Sequence, residues 1–383
     1  MKKLKVLSVF GTRPEAIKMC PLVCELEKRE EIESYVLVTA QHRELLDEVT
    51  RFFDVKADYD LNLMKPGQTL ATITSGVICG VGDVIKQMEA EGKKPDIVLV
   101  HGDTTTSFAA ALGAFYEKVP VGHVEAGLRS FDKYSPFPEE MNRLMTGRIA
   151  DYHFSPTRNN VKNLENEGIT ENVYITGNTG LDALRYTISA DYKFENETLR
   201  DQSLYTEGRL IVLTAHRREN ILDGGLDRIA RAVKRIAEEF GDIKIVDPMH
   251  PNPAVRNALV PVLGDLPNVT LIEPVGVADM HNLLSRADLC LTDSGGLQEE
   301  APALGLPVLV LRNETERPEA AEAGTVKVIG TDEDTIYNET KKLLTDKAAY
   351  DKMANAVNPY GDGHSSEKIA DILCTVARYR EEN

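Results

Sequence analysis

The sequence predicts an α/β protein made of two doubly wound parallel-sheet domains facing a cleft. Three observations carry that expectation. Short apolar runs that read as buried strands alternate with helical patterns along the whole chain, as in βαβ units. Those runs end repeatedly in polar, often glycine-bearing loops, where a parallel sheet gathers its ligands. The 383 residues are enough for two domains of ordinary size.

The stretch Ala287–Gly305 shows the pattern most compactly. Leu289–Leu291 reads as a strand, Asp293-Ser294-Gly295-Gly296 as a turn, and Leu297 onward as a helix. Glycines let backbone N–H groups approach an oxyanion, and the first helical turn adds a positive dipole end. Taken alone, the motif is explained as well by an ordinary turn between a strand and a helix. Its weight comes from the other strand exits.

In the first domain, Leu4–Phe10 leads into Gly11-Thr12-Arg13, with Pro14 suited to the first helical position and Lys18 one turn further. A strand at 35–39 leads to Gln41 and His42. Residues 61–68 read as a loop and 69–91 as a long helix. A strand at 96–100 leads to His101-Gly102-Asp103, and one at 120–124 to Glu125-Ala126-Gly127. After the loop 130–138, Glu139 and Glu140 open a helix carrying Asn142, Arg143 and Arg148. Strands at 152–155 and 173–176 follow.

Thr176–Gly180 reads as a hinge. The expected domains are therefore 1–177 and 178–363, with a final helix at 364–383 crossing back onto the first. That helix shows one apolar stripe: Ile369, Ile372, Leu373 and Val376. In the second domain, a strand at 209–214 ends in His216-Arg217-Arg218-Glu219-Asn220, and one at 244–246 leads to His250. Strands at 269–272, 289–291, 307–310 and 326–329 complete the series, the fourth of these six leading to Glu300 and the fifth to Arg312 and Arg317.

Composition bounds the function. Charged residues are 27% and apolar ones 42%, a globular mix. The net charge of −17 argues against a nucleic-acid partner, but a small anion needs only a local basic cluster. No run is long enough to span a bilayer, so no membrane role is expected. Met1-Lys2-Lys3 runs straight into a short strand without a cleavage site, and the cytoplasm is the expected compartment. The cysteines form no CxxC pair and the histidines no HExxH pattern. There is no Walker loop, and Gly76–Gly82 has the wrong spacing for a dinucleotide fingerprint. No metal and no cofactor are expected.

Collected, the strand exits supply Arg13, His42, Asp103, Glu125, Glu139, His216, Arg217, His250, the 293–296 turn and Glu300. Cations and turn amides suit a diphosphate, and a carboxylate such as Glu300 suits ribose hydroxyls. Asp103, Glu125 and Glu139 suit proton transfer, although each singly is also a reasonable cap or loop partner. Carboxylates crowded beside a diphosphate are expected to have raised pKa values. These features suggest a nucleotide-diphosphate ligand and leave the reaction open.

At these same residues the chain resembles the non-hydrolysing UDP-N-acetylglucosamine 2-epimerases. The matching blocks run in order along its length: GTRPEAIKM at Gly11, QHREL at Gln41, HGDTTTS at His101, GHVEAGLRS at Gly122 and SPFPEEMNR at Ser135. HRREN at His216, HPNP at His250, LTDSGGLQEEAP at Leu291, TERPE at Thr315 and NPYGDG at Asn358 continue the series.

The resemblance implies a glycosyltransferase-B-like fold and reversible conversion of UDP-GlcNAc to UDP-ManNAc, with UDP eliminated to a 2-acetamidoglucal and added back; the alternatives are a hydrolysing epimerase that releases ManNAc and UDP, or a non-catalytic nucleotide-sugar sensor of the same fold. It also implies a homodimer. By motif position, Asp103, Glu125, Glu139 and His216 match the catalytic group. Arg13, Lys18, Ser294, Gly295, Gly296, Glu300, Met280 and Arg317 match the substrate-binding group. Gln41, Gln68, Arg217 and His250 match a second, activating UDP-GlcNAc site. Departures are local: Ala40 for a frequent glycine, Met280 for a frequent aromatic, and an extra residue in 221–225.

Overall fold

The computed structural model describes residues 3–39, 43–63 and 67–382. The chain divides into two compact units, Met1–Tyr186 with Tyr360–Asn383, and Thr187–Pro359.

The first unit holds a seven-stranded sheet of β1 (Leu4–Phe10), β2 (Ile32–Val38), β3 (Tyr59–Asp60), β4 (Ile97–His101), β5 (Val121–Val124), β6 (Tyr152–Ser155) and β7 (Val173–Ile175). Their order is β3-β2-β1-β4-β5-β6-β7, and every pairing is parallel. The second unit holds β8 (Arg209–Thr214), β9 (Ile243–Pro248), β10 (Val269–Ile272), β11 (Leu289–Thr292), β12 (Val308–Val310) and β13 (Val326–Val328). Their order, β10-β9-β8-β11-β12-β13, repeats the same winding, again all parallel. Each sheet is built outward in one direction, then returns to the other side of its first strand. The order therefore reverses between β1 and β4 and between β8 and β11, where a doubly wound sheet leaves a crevice at its strand ends.

Helices cover both faces, so the strands are apolar on both sides rather than alternating with polar residues. In β1, Val6 and Phe10 join Met19, Leu22 and Leu26 of the helix Arg13–Glu27. Leu7 and Val9, pointing the other way, join Val77, Val81 and Ile85 of the helix Leu70–Ala90. Each such side chain taken fully out of water contributes about 1.5–3 kcal/mol. The second sheet has its own cluster, in which Ile211 and Leu213 of β8 pack on Ile229, Val233 and Ile236 of the helix Gly225–Glu239.

The final helix, Ser365–Glu382, belongs to the first unit and buries Ile369, Leu373 and Ala377 in that unit's core. The segment expected as a hinge is what anchors it. Asn178 N–H donates to the Tyr360 carbonyl at 2.8 Å, and the buried Asp182 accepts from the Ser365 and Ser366 amides at 3.1 and 2.6 Å. Gly177 has φ 90°, and a Cβ there would lie 2.5 Å from Ser365 Oγ, so only glycine fits. The units part between Tyr186 and Thr187 and between Pro359 and Tyr360, where 177/178 and 363/364 were expected. Two further differences are small. β2 starts at Ile32, where Glu33 and Ser34 hid it, and the two-residue edge strand β3 was not singled out in the sequence.

Candidate active site

In the first unit, the exits of β1, β4 and β5 are tied together by buried carboxylates. Glu15 accepts from the Gly11 and Thr12 amides at 3.1 and 2.8 Å and from the Thr104 and Ser107 hydroxyls at 2.7 and 2.9 Å. It fixes the loop after β1 to the helix Thr105–Tyr116 that follows β4. A Cβ on Gly11 would fall 1.9 Å from Thr39 Oγ1, which explains the glycine at this exit.

Beside this latch sit the candidate acid–base groups. Glu125, just past β5, has φ 65°, an uncommon left-handed conformation for a residue with a side chain. Its carboxylate accepts from Lys18 Nζ and, at 2.9 Å, from Asn178 Nδ2, and His101 Nε2 lies 3.6 Å away. Burial works against its charge, but Lys18 and His101 outweigh burial and hold the carboxyl well below the usual range. This corrects the expectation of raised pKa values here, because a cation, not a second carboxylate, is the nearest charge.

Asp103 follows β4 directly. Its Oδ2 accepts from Arg143 at 2.5 Å, and its carbonyl accepts from Asn142 at 2.9 Å. Arg143 also lies 3.2 Å from Glu140, whose oxygens accept the Ser130 and Phe131 amides at 3.0 and 3.1 Å. Glu139 opens the same helix, Glu139–Ile149, and its Oε2 is buried with no hydrogen-bond partner among the described residues. The three candidate acid–base carboxylates are therefore in three states: Glu125 ion-paired and buried, Asp103 ion-paired and a quarter exposed, and Glu139 with an unmet oxygen.

In the second unit, Asp293 organises the crevice between β8 and β11. Its Oδ2 accepts from the His216 and Arg217 amides, both at 2.8 Å, and from Asn220 Nδ2 at 2.9 Å. His216 Nδ1 stands 3.3 Å from Asp293 Oδ1, and the His216 ring stacks on His250 at 5.2 Å with 8° between planes. Burial pushes the His216 imidazole below its usual pKa despite Asp293, which favours the neutral ring. An Nδ1–H facing Asp293 leaves Nε2 as the free nitrogen.

The 293–296 turn is partly spoken for: the Ser294 amide donates to Thr292 Oγ1 at 2.9 Å. A cation accompanies it, since a Cβ on Gly295 would meet the Arg317 guanidinium at 2.6 Å. Arg317 is held by Glu299 at 2.5 Å and Glu316 at 2.6 Å. Burial would raise the Glu316 carboxyl, but Arg317 and Arg312 hold it at about 2. Glu300 lies 3.4 Å from the buried His281, one turn past Gly296.

The other expected residues are placed as follows. Arg13 is half-buried at the head of the first unit's first helix. Met280 is half-buried on the helix Val277–Leu284. Gln68, in the first unit, donates to the Leu63 carbonyl at 2.6 Å. Arg217 and His250 belong to the second unit, with Arg217 Nε on the Asp293 carbonyl at 3.1 Å and His250 exposed. Gln41 and His42 lie outside the described residues. Sequence reasoning did not single out Asn178, Glu15 or Asp293 as site residues. Asn178 was hidden in a presumed hinge, Glu15 in a helix start, and Asp293 in a glycine turn.

A family model described as UDP-N-acetylglucosamine 2-epimerase matches residues 24–374. The chain belongs to this family. A Bacillus subtilis protein named UDP-N-acetylglucosamine 2-epimerase is 54% identical over 383 residues, covering 100% of this chain and 98% of its own. Two solved structures agree in fold. One, of the UDP-GlcNAc 2-epimerase from Neisseria meningitidis bound to UDP-GlcNAc, is 47% identical with a TM-score of 0.87, covering 97% of this chain and 100% of that one. The other, an S. aureus protein named MnaA solved with UDP, is 48% identical with a TM-score of 0.88 and covers 97% and 96%. As a UDP-N-acetylglucosamine 2-epimerase family member, the chain is an isomerase of the glycosyltransferase-B-like architecture. No helix among the described residues is long and apolar enough to cross a membrane.

Proposed function

We propose that the chain interconverts UDP-GlcNAc and UDP-ManNAc without hydrolysis. A carboxylate takes the proton from carbon 2 of the sugar while the bond from carbon 1 to the diphosphate breaks, and UDP departs with that electron pair. The product is a 2-acetamidoglucal. In the reverse sense a proton is delivered to the opposite face of carbon 2, and a diphosphate oxygen re-forms the bond to carbon 1.

The carbon 2 proton is not adjacent to a carbonyl, so an unaided side-chain base cannot remove it. Charge that builds at carbon 1 as UDP leaves makes it acidic. The protein must stabilise the leaving diphosphate and fix acid–base groups on the ring. The reading gives the first task to the second unit: His216, the 293–296 turn and Arg317, with Glu300 for the ribose. It gives the second task to Asp103, Glu125 and Glu139. Asp103 is proposed as the base, because it is the carboxylate of the ion-paired two that keeps solvent access. Glu125, clamped by Lys18, supports the developing positive charge at carbon 1. His216 Nε2 assists the leaving phosphate.

The observation that carries the reading is the gathering of three carboxylates in unlike electrostatic states at the exits of β4 and β5 and at the head of the helix that follows. A second UDP-GlcNAc as activator, served by Gln41, Gln68, Arg217 and His250, and assembly as a homodimer belong to the same proposal. Product analysis by phosphorus and proton NMR tests the central part. All sugar is expected to remain nucleotide-linked while UDP-ManNAc appears. Free ManNAc released in step with UDP would overturn the reading.

A further inference from the structure

Asp247 is the fifth residue of β9 and is 1% exposed. The pairs Val212–Val246 and Thr214–Thr292 set Asp247 beside Leu213 and Asp293 beside Ala215. Side chains alternate along a strand, so both carboxylates rise from the same face of the sheet, straddling β8. The loop 215–220 passes through this place: Asp293 binds its His216 and Arg217 amides and the Asn220 side chain. Asp247 Oδ2 is buried there with no hydrogen-bond partner among the described residues, whereas Asp293 Oδ1 has His216 Nδ1 at 3.3 Å. Asp293 has a clear anionic role, with three N–H donors on its other oxygen. Asp247 has none among the described residues, and a buried, unpaired second anion would be expensive.

We propose that Asp247 is a positioning residue that carries a proton, leaving Asp293 as the single negative charge beneath the loop 215–220, so that this unit's diphosphate site keeps full affinity only while Asp247 stays neutral. The inference rests on the reading of His216 and its neighbours as the diphosphate site. Burial, with Asp293 adding to it, pushes the Asp247 carboxyl up to about 8. The other titratable and charged groups around the loop are His216, Arg217, Arg218, Glu219, His250, Arg312 and Glu316. Above pH 8, Asp247 ionises and repels the incoming diphosphate. It also favours protonation of the His216 ring.

The test is UDP binding by calorimetry at pH 7 and pH 8.8 for the full chain and for Asp247→Asn. The native protein is expected to weaken by several-fold, up to about tenfold, between the two values, since one proton must be held. Asp247→Asn, which cannot ionise, is expected to show a clearly smaller ratio. Equal ratios in the two proteins would overturn the proposal while leaving the epimerase reading intact. Failure of the native protein to bind UDP at pH 7 would overturn both, and failure of a folded Asp247→Asn alone would overturn only the proposal. A second measurement does not depend on the variant folding: the His216 ring, observed in nitrogen-labelled native protein without ligand, is expected to show an inflection near pH 8. A flat response from pH 7 to 9 contradicts the proposal.

Discussion

Lys18 and Glu125 form a buried ion pair in the first unit, and on the proposed reading it holds the carboxylate that supports carbon 1. Removing one partner of a buried pair leaves the other charge uncompensated and costs roughly 3–5 kcal/mol. Lys18→Met is expected to lower stability by that order at pH 7. The Glu125 carboxyl is depressed in the fold. Its contribution is therefore present above the ordinary carboxylate pKa and lost as pH falls through the folded value. The gap between native and Lys18→Met melting temperatures should narrow on acidification below about 4.5. Asp247 has the opposite sign. Raised to about 8, it makes the native protein lose stability as pH climbs from the unfolded carboxylate value towards 8. Asp247→Asn should gain on the native protein across that window, by up to about 1.4 kcal/mol per pH unit, and no further above it. Paired denaturation curves at pH 5 and pH 8 check this. For turnover, Asp103→Asn and Glu125→Gln are each expected to lower kcat by about a hundredfold or more, the usual scale for a positioned acid or base.

At the scale of elements, the strand–helix alternation was legible because most strands are apolar on both faces and their exits are marked by glycine or a polar cluster. The switch points themselves were not. Nothing local in Leu4–Phe10 or Arg209–Thr214 says that its neighbours are β4 and β11, since pairing order is set by how helices pack on the sheet. The final helix was readable from its stripe, but its anchor was not. Asp182 looks like an ordinary helical acid until Ser365 and Ser366 are seen to donate to it. Asp182→Ala should uncap that helix and expose both amides, costing about 0.5–2 kcal/mol as a cap. Gly177→Ala adds strain at φ 90° and a clash with Ser365 Oγ. Thermal unfolding of the two variants, with an unchanged far-ultraviolet spectrum at low temperature, measures these terms.

For the whole molecule, the family was legible because many blocks occur in order, while the electrostatic state of each carboxylate was not. Sequence reasoning placed acids at strand exits and expected mutual repulsion. The fold instead gives Glu125 a lysine and Asp103 an arginine, contacts made across 107 and 40 positions of chain. Among the described residues no group of three or more histidines, cysteines, aspartates or glutamates is arranged to hold a metal ion. The proposed elimination assigns the leaving diphosphate to side chains and turn amides of the protein, so turnover is expected to persist in excess chelator, and loss that divalent cations restore would revise the scheme. The central claim is that carbon 2 of the sugar gives up its hydrogen to a carboxylate on this chain. Proton NMR of UDP-GlcNAc incubated with the protein in deuterium oxide reads it directly. The account predicts disappearance of the carbon 2 proton signal, with deuterium in both epimers and much slower exchange in Asp103→Asn. Formation of UDP-ManNAc with the original hydrogen retained at carbon 2 would contradict it.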